Sequence, residues 1–182
     1  STADWYDQHN AYDAYGPRVA RVLGMDYLLS SVSGIGLTRS CCGKKYTLPE
    51  VYHTIDFQPK GKQWNLSSQR PAIICITLGQ NDGLQNETLF VQKYIGFIQH
   101  LKTINPTAKI VCCSSPMATE TLSQFHAHEL PKVTHYFAQQ NDSLVQHFLY
   151  EGHFRSGCDA HPTIAEHKLI AQQLTSFLGQ LQ

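Results

Sequence analysis

The feature that most constrains the fold is a nearly unbroken apolar run, Pro71-Ala-Ile-Ile-Cys-Ile-Thr-Leu78, which ends at Gly79. A strand with one face in water alternates apolar and polar residues, whereas a strand covered on both faces reads as a continuous apolar run. A second such run, Lys109–Cys113, follows a segment with apolar residues at helical spacing. This alternation of covered strands and amphipathic helices predicts an α/β fold with a parallel sheet between helices.

The spacing of apolar residues predicts the remaining elements. Helices are expected over Tyr12–Leu23, Asn86–Ile104 and Leu130–Phe148, and again after Pro162. A further strand is expected at Tyr27–Val32, and no strand precedes the first helix. The 182 residues show no repeat and no domain boundary, so the chain is predicted to be one domain.

The composition argues against two classes of partner. Fourteen basic residues balance fourteen acidic ones, whereas nucleic-acid-binding domains usually carry a basic surface. No apolar run approaches the ~18 residues that a membrane-spanning helix needs. Neither a nucleic acid nor a membrane is therefore expected as a partner.

Six cysteines occur, and none has the paired spacing of a zinc site. Cys75, Cys112 and Cys113 lie in apolar runs and are predicted to be small buried residues. Cys41 and Cys42 lie in a glycine-flanked loop, where a disulfide would form outside the cytosol. Because neighbouring cysteines rarely pair with each other, another partner is expected for this pair. The cysteines favour a secreted or extracytoplasmic location.

Three short polar blocks stand where open α/β sheets place their ligands, at strand ends and helix starts. They are Ser33-Gly34-Ile-Gly36, then Gly79-Gln-Asn81-Asp82, then Gly157-Cys-Asp159-Ala-His161-Pro162. The Asn81 side chain and the Gly34 N–H are groups that can donate hydrogen bonds to an oxyanion. Each block alone also fits a simple turn, so their order and placement together are what favour a catalytic site.

His161 is the best candidate for a general base. A residue before proline is pushed into extended backbone, so His161 is expected on the loop, with Pro162 at the first helical position. The positive end of that helix disfavours imidazolium, and a neutral histidine can accept a proton near pH 7. Asp159 is close enough in sequence to orient the ring. The alternative is a loop histidine without a role, which is the commoner case for any one of ten histidines.

Other polar residues invite a functional interpretation. No carboxylate or cysteine in the sequence completes a recognisable metal-ligand set with His126, His128 and His135. These histidines are interpreted as surface residues, and no metal is expected. Arg39, just beyond the first block, either lines the cleft and binds substrate or is a solvated loop arginine.

The three blocks resemble blocks II, III and V of the SGNH (GDSL-like) hydrolases. The longer phrases Ala14–Ala20, Ser33–Arg39 and Gly157–His167 are similar to carbohydrate esterase family 2, and the resemblance spans nearly the whole chain. It implies a three-layer, flavodoxin-like SGNH domain over residues 1–182, with a small jelly-roll domain ahead of it. It also implies a secreted serine esterase that removes acetyl groups from plant polysaccharides, such as xylan or glucomannan, without a cofactor.

The resemblance assigns roles to four of these residues. It makes His161 the base, Gly34 and Asn81 the oxyanion donors, and Asp82 a structural brace near the site. The family places an aspartate three residues before the histidine, where this chain has a cysteine, so Asp159 comes one residue too late. The resemblance therefore allows either a triad through Asp159 or a Ser-His dyad that a backbone carbonyl steadies.

The Gly-Asp-Ser block that carries the nucleophile in such enzymes is not in this sequence. Ser1-Thr-Ala resembles its remnant, with the nucleophile either Ser1 itself or the residue just upstream. The strand that supports the nucleophile is central in this fold, so an upstream segment of the same protein is expected to pack against the chain.

Two classes of function stay open. The first is a serine esterase that deacetylates carbohydrates through an acyl-enzyme, with an acetylated oligo- or polysaccharide as its partner. The second is a catalytically inactive carbohydrate-binding or interaction module on the same scaffold. A flavodoxin-like binding domain is a third possibility, but the sequence has no glycine-rich loop of the kind that cradles phosphate.

Overall fold

The computed structural model describes residues 10–181. This part of the chain divides into two compact units. The larger unit contains residues 30–151, and the smaller one joins residues 10–29 to residues 152–181. Since the smaller unit is assembled from two distant segments, no linker composition marks its boundaries in the sequence.

Five α-helices, two single-turn 3-10 helices and three strands make up the regular structure of the described residues. The helices are α1 (Tyr15–Leu23), α2 (Leu48–Val51), α3 (Glu87–Ile104), α4 (Glu120–Ala138) and α5 (Ile164–Gly179). The strands are β1 (Ile73–Ile76), β2 (Lys109–Cys113) and β3 (Val145–Phe148). They pair in parallel in the order β1-β2-β3, so the predicted α/β fold with a parallel sheet is confirmed.

The two apolar runs of the sequence have different environments in the sheet. Strand β2 is central, and its residues Ile110–Cys113 are fully buried, as the continuous run predicted. Strand β1 lies at one edge, and only Ile76 of its four residues is buried. The predicted burial of Cys75 is therefore wrong, because its side chain is exposed. No strand of the described residues pairs with the outer edge of β1.

Helix α3 anchors the core of the larger unit. Its inward face buries Phe90, Tyr94, Phe97, Ile98 and Leu101, and these side chains join one apolar cluster with residues of β1, β2 and α4. The helix begins at a capped position, because the side chain of Asn86 accepts a hydrogen bond from Leu89 N at 2.9 Å. The predicted bounds of this helix are confirmed.

The helix predicted over Leu130–Phe148 is wrong at both ends. Helix α4 begins ten residues earlier, after the capping residue Thr119, and Pro131 lies inside it. It ends at Ala138, since Asn141 adopts a left-handed backbone with φ of 59° that helical residues cannot continue. The predicted C-terminal part of this helix is strand β3, whose Val145 lies opposite Ile110 of β2.

The strand predicted at Tyr27–Val32 is also wrong. No regular structure forms there, and Tyr27, Leu28 and Leu29 are about half exposed, at 52, 52 and 46%. A strand exists only through its hydrogen bonds to a neighbour, and the described residues provide none at this segment.

In the smaller unit α1 packs against α5. Helix α1 buries Val19 and Ala20, and α5 buries one stripe at helical spacing, Ile170, Ala171, Leu174 and Leu178. Pro162 was expected at the first helical position, but α5 starts two residues later, because Thr163 is its capping residue and Pro162 precedes the cap.

Candidate active site

The first polar block forms a tight loop in the larger unit. Gly34 has a φ of 75°, which favours glycine. Its carbonyl accepts a hydrogen bond from Cys41 N at 2.8 Å. Gly36 donates its N–H to Ser40 Oγ at 3.0 Å, and a side chain at this position would overlap the backbone oxygen of Arg39. The two glycines and these hydrogen bonds therefore fix the backbone path of the loop.

Asp82, at the end of the second block, ties this loop to β1. The residue is only 1% exposed. Its carboxylate accepts hydrogen bonds from Leu37 N at 2.9 Å, from Thr38 N at 2.6 Å and from Thr38 Oγ1 at 2.8 Å. Hydrogen bonds to an ionised carboxylate are about twice as strong as neutral ones. Through these contacts Asp82 holds the two loops together. An effect of Asp82 on activity stays a prediction.

Asn81 and Arg39 each donate hydrogen bonds from one of these two loops to backbone carbonyls of the other. The Asn81 amide donates one N–H to the carbonyl of Ile35 at 2.9 Å, and an amide nitrogen carries a second hydrogen for another acceptor. Arg39 donates from Nε to the carbonyl of Asp82 at 2.7 Å and from its guanidinium to the carbonyl of Leu84 at 3.0 Å. The structure thus gives Arg39 a bracing contact, while its predicted contact with substrate stays a prediction.

His126 also belongs to this region, and its interpretation as a surface residue is wrong. Its side chain is fully buried, and a Cβ on Gly79 would collide with its ring, so glycine is required there. Ser115 N donates to its Nδ1 at 3.4 Å. Burial lowers the pKa of His126 to about 4, although the nearby Asp82 carboxylate opposes part of that shift. The ring is therefore neutral near pH 7.

The third block forms a loop in the smaller unit. His161 has extended backbone with φ of −96° and ψ of 160°, as its position before proline predicted. Its N–H donates to the carbonyl of Cys158 at 2.9 Å, and its carbonyl accepts from Gly157 N at 2.8 Å. The Asp159 atom that contacts His161 Nδ1 is the main-chain oxygen, at 3.0 Å. This contact corresponds to the backbone-carbonyl alternative of the sequence analysis.

Glu166 braces the loop that carries His161, and sequence reasoning missed it. Its carboxylate accepts hydrogen bonds from Thr163 N at 2.8 Å and from Ser156 Oγ at 2.7 Å. Partial burial raises the pKa of Glu166, but the N–H and O–H donors of Thr163 and Ser156 outweigh it and lower the pKa to about 2. The signal was present, because Thr163-x-x-Glu166 is a capping box.

The other two histidines of the sequence analysis are exposed, as interpreted. His128 nevertheless has two carboxylates beside it, those of Glu87 and Glu129, with one ligand atom of each residue within 4.8 Å of the others. The sequence showed no carboxylate that completes a recognisable metal-ligand set with these histidines, whereas the fold places two beside His128. Lys132 lies among these groups, with its Nζ 2.7 Å from Glu129 Oε1 and 3.6 Å from Glu87 Oε2. The lysine thus supplies a positive charge to both carboxylates.

The structure brings Gly34, Arg39, Asn81 and Asp82 together in the larger unit, and Asp159 and His161 in the smaller one. The candidate nucleophile Ser1 lies outside the described residues. Within residues 10–181, no helix combines the length and the apolar character that crossing a membrane requires.

A parallel α/β sheet with a glycine loop, an Asn-Asp pair after a strand and a histidine loop ahead of the last helix defines an SGNH-type hydrolase scaffold. No family model matches the sequence. The chain is 30% identical to the cellulase/esterase CelE of Acetivibrio thermocellus over 92% of its own length and 21% of that protein. It is 26% identical to an acetylxylan esterase / glucomannan deacetylase of Cellvibrio japonicus, over 94% of its own length and 49% of that protein.

A solved structure agrees with these relatives. A family two carbohydrate esterase from Clostridium thermocellum, in complex with cellohexaose, superposes with a TM-score of 0.87 at 29% identity, over 94% of this chain and 55% of that one. Over nearly its whole length, the chain is thus similar to esterases of carbohydrate esterase family 2. It spans between about a fifth and about half of the length of the curated relatives that it matches.

Proposed function

We propose that the chain is part of a serine esterase that removes O-acetyl groups from carbohydrates. The observation that carries this proposal is the loop pair at the end of β1, where the buried Asp82 carboxylate holds the Gly34–Thr38 loop beside the amide of Asn81. Rigid N–H donors at such a place are what an acyl-transfer enzyme needs for an oxyanion. The relatives named acetylxylan esterase and glucomannan deacetylase supply the substrate class, acetylated plant polysaccharides.

The contact between His161 and Asp159 supports His161 as the base. A carbonyl oxygen only accepts hydrogen bonds, so the main-chain oxygen at 3.0 Å from Nδ1 favours the tautomer with its proton on Nδ1. The other ring nitrogen, Nε2, then has a lone pair that can take a proton. We therefore favour a Ser-His dyad in which Asp159 contributes its backbone oxygen.

The proposed reaction is acyl transfer in two halves. A serine at or just before Ser1 attacks the acetyl carbonyl while His161 Nε2 takes the hydroxyl proton. The Gly34 N–H, the Asn81 amide and the N–H of the serine stabilise the oxyanion. The sugar hydroxyl leaves with the proton from His161, and water then releases acetate from the acyl-enzyme. These steps need no metal or cofactor.

Two further expectations belong to this proposal. An upstream segment that pairs with the open edge of β1 would cover a strand whose sequence is that of a central strand. A secreted or extracytoplasmic location is supported by the disulfide of the larger unit, since disulfides persist in oxidising compartments.

The test is acetate release from 4-nitrophenyl acetate and from acetylated glucomannan. The natural full-length protein is compared with its His161→Ala variant and with His135→Ala, a matched change at an exposed histidine of α4. We expect His161→Ala to lower kcat by about 10³-fold or more and His135→Ala to leave it unchanged. Equal activity of all three proteins would remove His161 from the mechanism.

A carbohydrate-binding module without catalysis is the second candidate. The observation in its favour is the relative that was solved with cellohexaose bound. Calorimetry with cellohexaose separates the two functions. A protein that binds the oligosaccharide but releases no acetate from either ester would be a binding module.

A further inference from the structure

Cys41 and Cys42 are bonded to each other. The expectation that these cysteines need separate partners is therefore wrong. The bond closes a small ring that contains the peptide bond between the two residues. Cys42 has a φ of 60°, in the left-handed region that residues other than glycine seldom adopt. Sequence spacing alone could not predict this pairing, because it depends on that backbone conformation.

The disulfide lies directly against Gly34. A Cβ on residue 34 would be 2.9 Å from Cys41 Sγ and 3.6 Å from Cys42 Sγ, so the two sulfur atoms occupy the space that a side chain would need. Cys41 N also donates to the Gly34 carbonyl at 2.8 Å. Gly34 thus meets the disulfide ring through its Cα and through its carbonyl.

Gly34 needs such support if its N–H is to hold a fixed direction. Glycine populates positive and negative φ almost equally, so its own backbone does not select the conformation seen here. Asp82 braces Leu37 and Thr38, which lie further along the loop. Of these two braces, the Cys41–Cys42 ring is the one that reaches residue 34.

We propose that Cys41 and Cys42, joined as a disulfide, are positioning residues for the oxyanion donor Gly34. This inference rests on the proposed esterase function. It makes the catalytic rate sensitive to the oxidation state of the pair. The bond fixes the loop backbone around residues 34 and 42, and opening it lets both residues leave their left-handed conformations.

The chemistry of opening the bond is ordinary thiol–disulfide exchange. A thiolate of a dithiol reagent such as dithiothreitol attacks one sulfur, and the S–S bond breaks to give a mixed disulfide and one cysteine thiolate. The second thiol of the reagent then displaces the other cysteine. Two electrons and two protons reach the protein, which gains two thiols, and the reagent leaves as its cyclic disulfide. Cys42 is exposed, so the reagent has access.

The first measurement is a thiol count on the denatured full-length protein. Cys75, Cys112, Cys113 and Cys158 are free, so reduction is expected to increase the count of this region by two. An untreated protein in which Cys41 and Cys42 already titrate as thiols would overturn the proposal.

The second measurement is the kinetics of the oxidised and the reduced protein. The reductant is removed by gel filtration under nitrogen before the assay, because thiols themselves cleave 4-nitrophenyl acetate. We expect kcat to fall on the order of tenfold on reduction, with KM changed less than about twofold, since loss of a whole oxyanion donor costs 10²–10³. Cys42→Ser is expected to match the reduced protein and to show no response to reductant. Cys75→Ser, at an exposed free cysteine, is expected to keep the full activity and the full response.

Amide hydrogen exchange gives a readout that does not need catalysis. Reduction, or Cys42→Ser, is expected to speed exchange at residues 34–37 while β2 stays protected. If no form of the protein releases acetate, the esterase proposal fails, and the exchange data alone decide whether the disulfide orders this loop. Unchanged kcat after complete reduction, or unchanged exchange at residues 34–37, would overturn the proposal.

Discussion

At the scale of single residues, the candidate site is built from side chains that hold the backbone of its loops in place. The carboxylate of Asp82, the ring of His126 and the Cys41–Cys42 disulfide each contact a loop that begins or ends at a glycine. Of these groups, only Asp82 was assigned a bracing role from the sequence, through the family resemblance. The other two depend on contacts between residues far apart in the chain or on an unusual φ, and neither leaves a pattern in the sequence.

The buried His126 predicts a pH-dependent stability. Its pKa is lowered from 6.5 to about 4 in the folded protein, so the unfolded chain binds the proton more tightly. The contribution of the neutral His126 to the free energy of unfolding is therefore full above pH 6.5 and is lost as the pH falls towards 4. We expect the free energy of unfolding to drop by about 2 kcal/mol between pH 7 and pH 5 from this residue.

Urea denaturation at pH 7, 6 and 5 measures this slope. His126→Gln, which cannot titrate, is expected to flatten it, whereas His135→Gln at an exposed position leaves it as it is. Part of the pH dependence of the free energy of unfolding will remain in His126→Gln, because burial also lowers the pKa values of His147 and His167. An equal slope in His126→Gln and in the wild type would contradict the assignment.

The loop of His161 stores backbone strain at Ala160. Its φ of 57° is left-handed, which costs a residue with a Cβ roughly 1–2 kcal/mol. We expect Ala160→Gly to raise the free energy of unfolding by up to about 1 kcal/mol, since the greater freedom of glycine in the unfolded chain offsets part of the gain. Ala165→Gly, inside α5, is the matched control and is expected to lose about 1 kcal/mol. Equal losses in both variants, measured by urea denaturation, would show that Ala160 is not strained.

At the scale of elements, the sequence patterns predicted those features of the fold that interactions between neighbouring residues determine. The α3 helix and the apolar stripe of α5 follow from apolar spacing, and the extended backbone of His161 follows from its place before Pro162. The errors occur where pairing between strands determines the secondary structure: β3 was included in a helix, and Tyr27–Val32 was expected to be a strand. A strand depends on a neighbour that can lie anywhere in the chain, so a short apolar run does not identify it.

The capping box of α5 connects an element to the site. Glu166→Ala removes acceptors from Thr163 and Ser156 and is expected to cost about 1–2 kcal/mol of stability. Because the same residues flank the His161 loop, we also expect kcat to fall. Thermal melts and esterase kinetics test this, with Lys168→Ala at an exposed position of α5 as the control.

The pH dependence of this cap has a defined sign. The pKa of Glu166 is lowered to about 2 from 4.5, so its contribution is full above pH 4.5 and disappears as the pH falls towards 2. A Glu166→Ala variant that melts and turns over like the wild type at pH 7 would show that the cap does not support the loop.

At the scale of the whole molecule, the proposed oxyanion donors Gly34 and Asn81 belong to the larger compact unit, and the proposed base His161 belongs to the smaller one. The α/β class could be predicted from the alternation of covered strands and amphipathic helices, and the resemblance to the esterase family from the three blocks and the phrases around them. The division into units could not be predicted, since the smaller one combines residues near both ends of the chain.

The outer edge of β1, with which no strand of residues 10–181 pairs, has a consequence for a preparation of these 182 residues alone. A short apolar strand with unpaired amides is a template on which another copy can add a strand. The sequence has no net charge at pH 7 and a pI near 7.1, so copies repel each other least in the buffers most often used. Solubility is therefore expected to be lowest near neutral pH, and storage well above the isoelectric point should slow precipitation.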